Sequence, residues 1–182
     1  TVKIRPGVEW SDGHPWTAHD FAFTVNMLKD NAPQLMHSTD MATWVKEAVA
    51  LDSLTAHIAL KAPNPRFLFS YFVHTGDQGV PIVPKHIWED QDPTLFKNLN
   101  LAQGFPVVSG PYRLALSEPL QRIWDVRHDW WAVTTGFQWT PKVERPARSA
   151  LWWSWSQGLP DLLRMRSLLP SRPTFPTPII CC

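Results

Sequence analysis

Cysteine is scarce in this sequence of 182 residues, and the two that occur, Cys181 and Cys182, are its last two residues. Adjacent cysteines fit disulfide geometry poorly, so we expect no internal disulfide framework. Long apolar runs are also missing, and without about 18 consecutive apolar residues the sequence predicts no transmembrane helix. The formal net charge is only +1, which gives no indication of nucleic-acid binding.

The histidines do not have the spacing of metal ligands. His14 and His19 lie five residues apart across Pro15 and a predicted helix start, which differs from the i, i+4 spacing of a helical zinc pair. His74 and His86 are separated by a loop that contains glycine and proline but no cysteine. We therefore predict no metal site and no cofactor.

Catalytic patterns are weak. Glu9, Asp12 and Asp20 form a group of carboxylates beside tryptophans, which is similar in kind to a glycosidase site. A simpler interpretation places Asp20 at a helix N-terminus, where its charge contributes about 0.3–1 kcal/mol, and Asp12 in a turn. Ser109 and Gly110 have no matching histidine arrangement. The sequence thus predicts a protein that is not an enzyme.

Tryptophan is the compositional excess, with 11 residues, and hydrophobic residues make up 44% of the chain. This composition is typical of a globular protein with a core. Most of the tryptophans are expected in the core and its walls. Because rigid aromatic rings also stack on sugars and cover ligands, some exposed ones are candidates for a binding surface.

Local patterns predict a mixture of helices and hairpins. Asp12-Gly13 is a turn dipeptide, and Thr17 can cap a helix over about residues 17–30 together with Asp20. Residues 44–51 and 55–60 alternate around Asp52-Ser53 and predict a β-hairpin, with Val45, Val49 and Leu51 on one face and Lys46 and Ala48 on the other. A second hairpin is expected from a strand at Tyr112 paired with residues 121–127. Pro93 is expected to open a helical turn through Lys97.

Four blocks resemble one known family. The segment RPGVEWSDGHPWTAHDFAFT is similar to the signature of the family 5 extracellular solute-binding proteins, which are receptors of ABC importers for peptides, nickel complexes and some oligosaccharides. IVPKHIW, SGPYRL and PKVER follow in the order that the family has. The resemblance covers about residues 1–145.

The resemblance implies an α/β (mixed α+β) fold, a partial lobe of a two-lobe, type II periplasmic binding protein. It implies that the chain helps to capture an oligopeptide or an oligosaccharide for an ABC permease, and that the full-length receptor is periplasmic or extracellular, in some cases with a lipid anchor. Because aromatic side chains dominate such clefts, candidates for the ligand wall are Trp10, Trp16, Trp44 and Tyr112. Alternatives left open are an autonomous Trp-rich carbohydrate-binding module and a non-functional truncated fragment.

The pattern changes after Pro146. Residues 146–182 contain four arginines, one acidic residue and no lysine, and four prolines lie between residues 170 and 178. We expect a reading-frame shift here, with a genuine Pro-rich tail as the alternative, and poor order in either case. The start at Thr1, which shows neither an initiator Met nor a signal peptide, suggests a fragment whose beginning lies upstream.

Overall fold

The computed structural model describes residues 1–73 and 79–136, so the expectations for residues 146–182 lie outside the described residues. Five helices and five strands are described, together with a 3₁₀ turn at Leu101–Gln103. In chain order they are β1 (Val2–Lys3), α1 (Ala18–Asp30), α2 (Ser38–Trp44), β2 (Val45–Asp52), β3 (Thr55–Leu60), α3 (Phe67–Phe72), α4 (Lys85–Trp88), β4 (Tyr112–Glu118), β5 (Gln121–Val126) and α5 (Trp131–Thr134).

Helix α1 begins where the sequence predicts. The Thr17 side chain caps it, and the Asp20 carboxylate accepts a hydrogen bond from the Thr17 N–H over 2.8 Å, which completes a capping box. Its buried stripe includes Phe21, Val25 and Leu28, as predicted. Each large apolar side chain buried in this way contributes about 1.5–3 kcal/mol relative to exposure.

The first hairpin joins β1 in a three-stranded antiparallel sheet with the order β1-β3-β2. The pairing of β2 with β3 is confirmed, but the register shifts between Val45 and Glu47. Val45 and Ala48 are therefore both buried, whereas Val49 and Leu51 are exposed. The predicted placement of Val49 and Leu51 on the face of Val45 is wrong, because an irregularity of one residue exchanges the two faces of a strand.

The main core lies between α1, α2 and this sheet. Asn26 of α1 fixes the outer edge of β2, since its amide donates to the Ala48 carbonyl over 2.7 Å and accepts from the Ala48 N–H over 3.1 Å. The short helix α3 adds Phe67 and Phe72 to the same core. No helix within the described residues is long and apolar enough to cross a membrane.

The second hairpin, β4 with β5, forms a separate two-stranded sheet and confirms the predicted pairing. Residues 93–95 form a single turn, in which the Asp92 carbonyl accepts from the Leu95 N–H over 3.1 Å and from the Phe96 N–H over 2.9 Å. The predicted helical turn at Pro93 is therefore present, but it does not extend to Lys97. Four buried apolar residues near this hairpin lie outside the main core cluster: Trp10, Val107, Val126 and Ala132.

Candidate functional site

Residues 9–16, the tryptophan turn, carry two of the predicted ligand-wall residues. The Trp10 N–H donates to the His14 carbonyl over 2.8 Å, and Gly13 has a φ of 86°, a conformation that favours glycine. The rings of Trp10 and Trp16 have centroids 6.4 Å apart and are tilted by 41°. Trp10 is only 2% exposed, whereas Trp16 is half-buried. Trp10 thus lies behind the surface that Trp16 reaches.

A buried arginine joins the tryptophan turn to the second hairpin. The guanidinium of Arg127, which is 2% exposed, donates from Nη1 to the Val108 carbonyl over 2.9 Å and from Nη2 to the Trp10 carbonyl over 3.2 Å. Its Nη2 also lies 2.9 Å from a carboxylate oxygen of Asp129. Five donors in a fixed plane suit this task, because one side chain can satisfy carbonyls from several segments.

Asp129 supplies the charge that balances this arginine. The hydrogen bond from Arg127 holds the pKa of the Asp129 carboxyl below its ordinary value, against the opposing effect of partial burial. The Asp129 side chain is 60% exposed, so water screens much of the attraction. The hydrogen bonds to backbone carbonyls therefore supply much of the stabilisation that keeps the arginine buried.

Trp130 and Trp131 each make one further contact in the same region. The indole N–H of Trp130 donates to the Ser109 carbonyl over 3.1 Å. The guanidinium carbon of Arg5 lies 4.3 Å from the centre of the Trp131 ring, a cation–π geometry. Trp130 thus contacts the loop of residues 108–110, and Trp131 contacts the N-terminal segment.

The four predicted ligand-wall residues do not all meet in one place. Trp10 and Trp16 are neighbours, while Trp44 ends α2 and, like Trp16, packs half-buried against the main core. Tyr112 begins β4 in the second hairpin and is also half-buried. Their role in ligand binding stays a prediction.

A surface groove of about 540 Å³ lies elsewhere on the molecule, between α1, the middle of β2 and residues 85–93. Its aromatic lining comes from Phe23 and Trp88, and its charged lining includes Asp30, Lys85 and Glu89. None of the four predicted residues lines it. Trp88 belongs to the IVPKHIW block, and the family resemblance of that block is the sequence feature that could have indicated this groove. The block alone does not predict which side chains face a groove.

A polar cluster connects the tryptophan turn to α4. A carboxylate oxygen of Asp12 lies 2.7 Å from Nε2 of His86, and the other lies 3.5 Å from Nδ1 of His14. The imidazole rings of His14 and His86 stack with centroids 4.0 Å apart. Partial burial opposes ionisation of Asp12, but the hydrogen bonds from His86 and from the His14 N–H outweigh it and lower the pKa of that carboxyl. The sequence did not indicate this cluster, because His86 is distant along the chain.

Residues 1–149 match the family described as "Bacterial extracellular solute-binding proteins, family 5 Middle". The chain belongs to this family. The match covers both hairpins and the tryptophan turn, and it confirms the resemblance carried by the four sequence blocks.

Relatives with known names agree with this family 5 assignment. Over 135 residues the chain is 30% identical to the "Probable peptide-binding protein YejA" of Agrobacterium fabrum, an alignment covering 72% of the chain and 20% of the relative. A periplasmic oligopeptide-binding protein of an oligopeptide ABC transporter from Thermotoga maritima superposes with a TM-score of 0.65 at 23% identity, covering 91% of this chain and 32% of that one. The same protein bound to mannohexaose gives a TM-score of 0.63 at 24% identity, with coverages of 90% and 31%.

These likenesses show that the chain has the mixed α/β fold of one part of a family 5 periplasmic binding protein. The chain spans about a fifth of the length of the curated relatives that it matches and about a third of the matched structures.

Proposed function

We propose that this chain is part of the substrate-binding component of an ABC importer, which captures an extracellular oligopeptide or oligosaccharide for transport. The observation that carries the proposal is the superposition on the Thermotoga maritima oligopeptide-binding protein over 91% of the chain. Binding, rather than catalysis, is the activity that accords with the names of the relatives. The partner would be the permease of the importer, and the full-length receptor would be periplasmic or extracellular.

The proposed mechanism is closure of two lobes around the solute, which signals an occupied receptor to the permease. Residues 1–136 would supply part of one lobe, held together by α1 with its sheet and by the Arg127 hydrogen bonds. The half-buried aromatic residues Trp16, Trp44 and Tyr112 are proposed to face the ligand or the rest of the receptor, with Trp10 supporting Trp16 from behind.

A grafted receptor tests this proposal. Residues 1–145 of this chain replace the matching segment of the Thermotoga maritima protein, and a single cooperative melting transition establishes that the graft is folded. Calorimetric titration then compares short peptides of alanine and lysine with mannohexaose, which the parent protein binds. We expect one of the two classes to bind with a Kd of roughly micromolar order, or about −8 kcal/mol.

Two results would contradict the proposal. One is a folded graft that binds neither ligand class while the parent protein binds mannohexaose under the same conditions. The other is strong binding of manno-oligosaccharides by the isolated 182-residue chain, which would instead support an autonomous Trp-rich carbohydrate-binding module.

A further inference from the structure

We propose that Asp12, His14 and His86 form a binding site for a divalent transition-metal ion such as Zn²⁺. The site goes beyond the proposed solute capture and departs from the sequence-based expectation of no metal. One ligand atom from each of the three residues lies within 4.8 Å of the other two. Two imidazole nitrogens and one carboxylate oxygen are a donor set typical of zinc, nickel and other borderline cations.

The three side chains can reach one tetrahedral ion once the His14 ring and the Asp12 carboxylate reorient. With bonds of about 2.0–2.2 Å to nitrogen and oxygen, the ligand atoms around zinc lie about 3.3 Å apart. Oδ2 of Asp12 lies 2.7 Å from His86 Nε2, and Oδ1 of Asp12 lies 3.5 Å from His14 Nδ1, so the carboxylate presents one oxygen to each imidazole. The His14 side chain is 59% exposed, so its ring has room to turn out of the stack with His86, as binding in the plane of both imidazoles requires. Three protein ligands leave a fourth position for water or an external ligand.

Backbone hydrogen bonds hold the two segments that supply the ligands. In the tryptophan turn, the Ser11 N–H donates to the Val108 carbonyl over 2.8 Å and the Gly13 N–H to the Trp10 carbonyl over 3.0 Å. On the other side, the Lys85 N–H donates to the Asp20 carboxylate over 2.8 Å, directly beside His86. Because the two backbone segments are fixed, only side chains must reorder on binding, which limits the entropy lost.

The arrangement of charge also favours a cation. The Asp12 carboxylate carries the negative charge and lies beside a ring nitrogen of both His14 and His86. One divalent ion can bind the two imidazole nitrogens and this carboxylate at once. The backbone N–H of His14 donates to Oδ1 of Asp12 over 3.2 Å and helps to orient that carboxylate. The ion would then connect the tryptophan turn to α4.

Calorimetric titration of the full chain with Zn²⁺ at neutral pH tests the site. The chain carries Cys181→Ser and Cys182→Ser throughout, because the adjacent thiols are themselves zinc ligands. We expect one equivalent of Zn²⁺ to bind, and His14→Ala and His86→Ala each to weaken it at least tenfold. His19→Ala is the matched control, since His19 is exposed at the start of α1 and lies outside the cluster.

Two further titrations sharpen the result. In one, Zn²⁺ is added to Asp12→Asn; in the other, Zn²⁺ is added to the parent chain in the presence of Mg²⁺. Asp12→Asn keeps the size of the side chain but removes the charge, so we expect weaker Zn²⁺ binding, and Mg²⁺ is expected not to compete because it prefers oxygen ligands. Absence of Zn²⁺ binding would overturn the proposal, as would Zn²⁺ binding that His14→Ala and His86→Ala leave unchanged. Thermal unfolding with and without Zn²⁺ gives a second readout, an increase in Tm that His86→Ala abolishes and His19→Ala preserves.

Discussion

Arg127 donates a hydrogen bond from Nη2 to the backbone carbonyl of Trp10 over 3.2 Å, between residues 117 positions apart in the sequence. The same guanidinium bonds the loop at Val108 and the carboxylate of Asp129. One buried side chain therefore fixes the tryptophan turn against the second hairpin. Its removal leaves several carbonyls without their donor, and the penalty for such groups exceeds the net value of the bonds themselves.

Arg127→Met is expected to lower the free energy of unfolding of the full chain by about 2–3 kcal/mol, because buried carbonyls lose their charged donor while the exposed Asp129 returns to water. Arg122→Met is the control, because Arg122 is exposed on β5 of the same hairpin. Urea unfolding followed by tryptophan fluorescence measures both. Equal stability of the two variants would contradict the assigned role of Arg127.

The Asp129 carboxylate predicts a dependence of stability on pH. Its pKa is lower in the folded chain than the ordinary value of about 3.9, so the unfolded state binds more protons between the two values. Its stabilising contribution is therefore complete above the unfolded pKa and is lost as the pH falls through the folded pKa. We expect Asp129→Asn to lower the Tm at pH 6 and to have a smaller effect at pH 3.

Asp90→Asn is the control for that pH series, since Asp90 is an exposed carboxylate outside the Arg127 cluster. An effect of Asp129→Asn that is as large at pH 3 as at pH 6 would show that the substitution acts through something other than the Arg127 ion pair.

Asp20 has two structural tasks, and its loss is expected to cost more than loss of the cap alone. One carboxylate oxygen accepts from the Thr17 N–H and the other from the Lys85 N–H, each over 2.8 Å. Asp20→Ala is expected to lower the free energy of unfolding by about 2–3 kcal/mol, because it removes charged hydrogen bonds and leaves the Lys85 N–H unpaired. Thr17→Ala is expected to cost about 1 kcal/mol. Denaturant titration of both variants decides, and equal losses would contradict the second task.

The sequence was sufficient where structure depends on neighbours along the chain. The cap at Thr17, the stripe of Phe21 and Val25, and the turn at Gly13 are local features, and all were predicted. The exposure of Val49 was not, because it follows from a register shift between paired strands, which alternation alone does not reveal.

The contacts that define the candidate sites were beyond the sequence for a related reason. His86 meets Asp12 across 74 positions, and Arg127 meets Trp10 across 117. No local spacing relates such residues. The sequence around an arginine at the end of an alternating strand also does not show whether its side chain is buried or exposed. The proximity of Trp10 to Trp16 was accessible because a single turn connects them.

Trp44 gives the sharpest test of the predicted ligand wall. In the grafted receptor, Trp44→Ala is expected to weaken ligand binding at least tenfold if the indole contacts the ligand. Because Trp44 also packs against the main core, Trp44→Leu serves as a second variant that keeps most of the apolar volume. Calorimetry measures affinity, and melting measures stability. Unchanged affinity in a variant with an unchanged Tm would remove Trp44 from the site.

Closure around the solute is the property that the proposed receptor must have. Small-angle X-ray scattering of the grafted receptor, with and without saturating amounts of the ligand found by calorimetry, measures it. Closure predicts a smaller radius of gyration in the presence of ligand, because two lobes approach each other on binding. A radius of gyration that stays the same while calorimetry shows the ligand bound would contradict it.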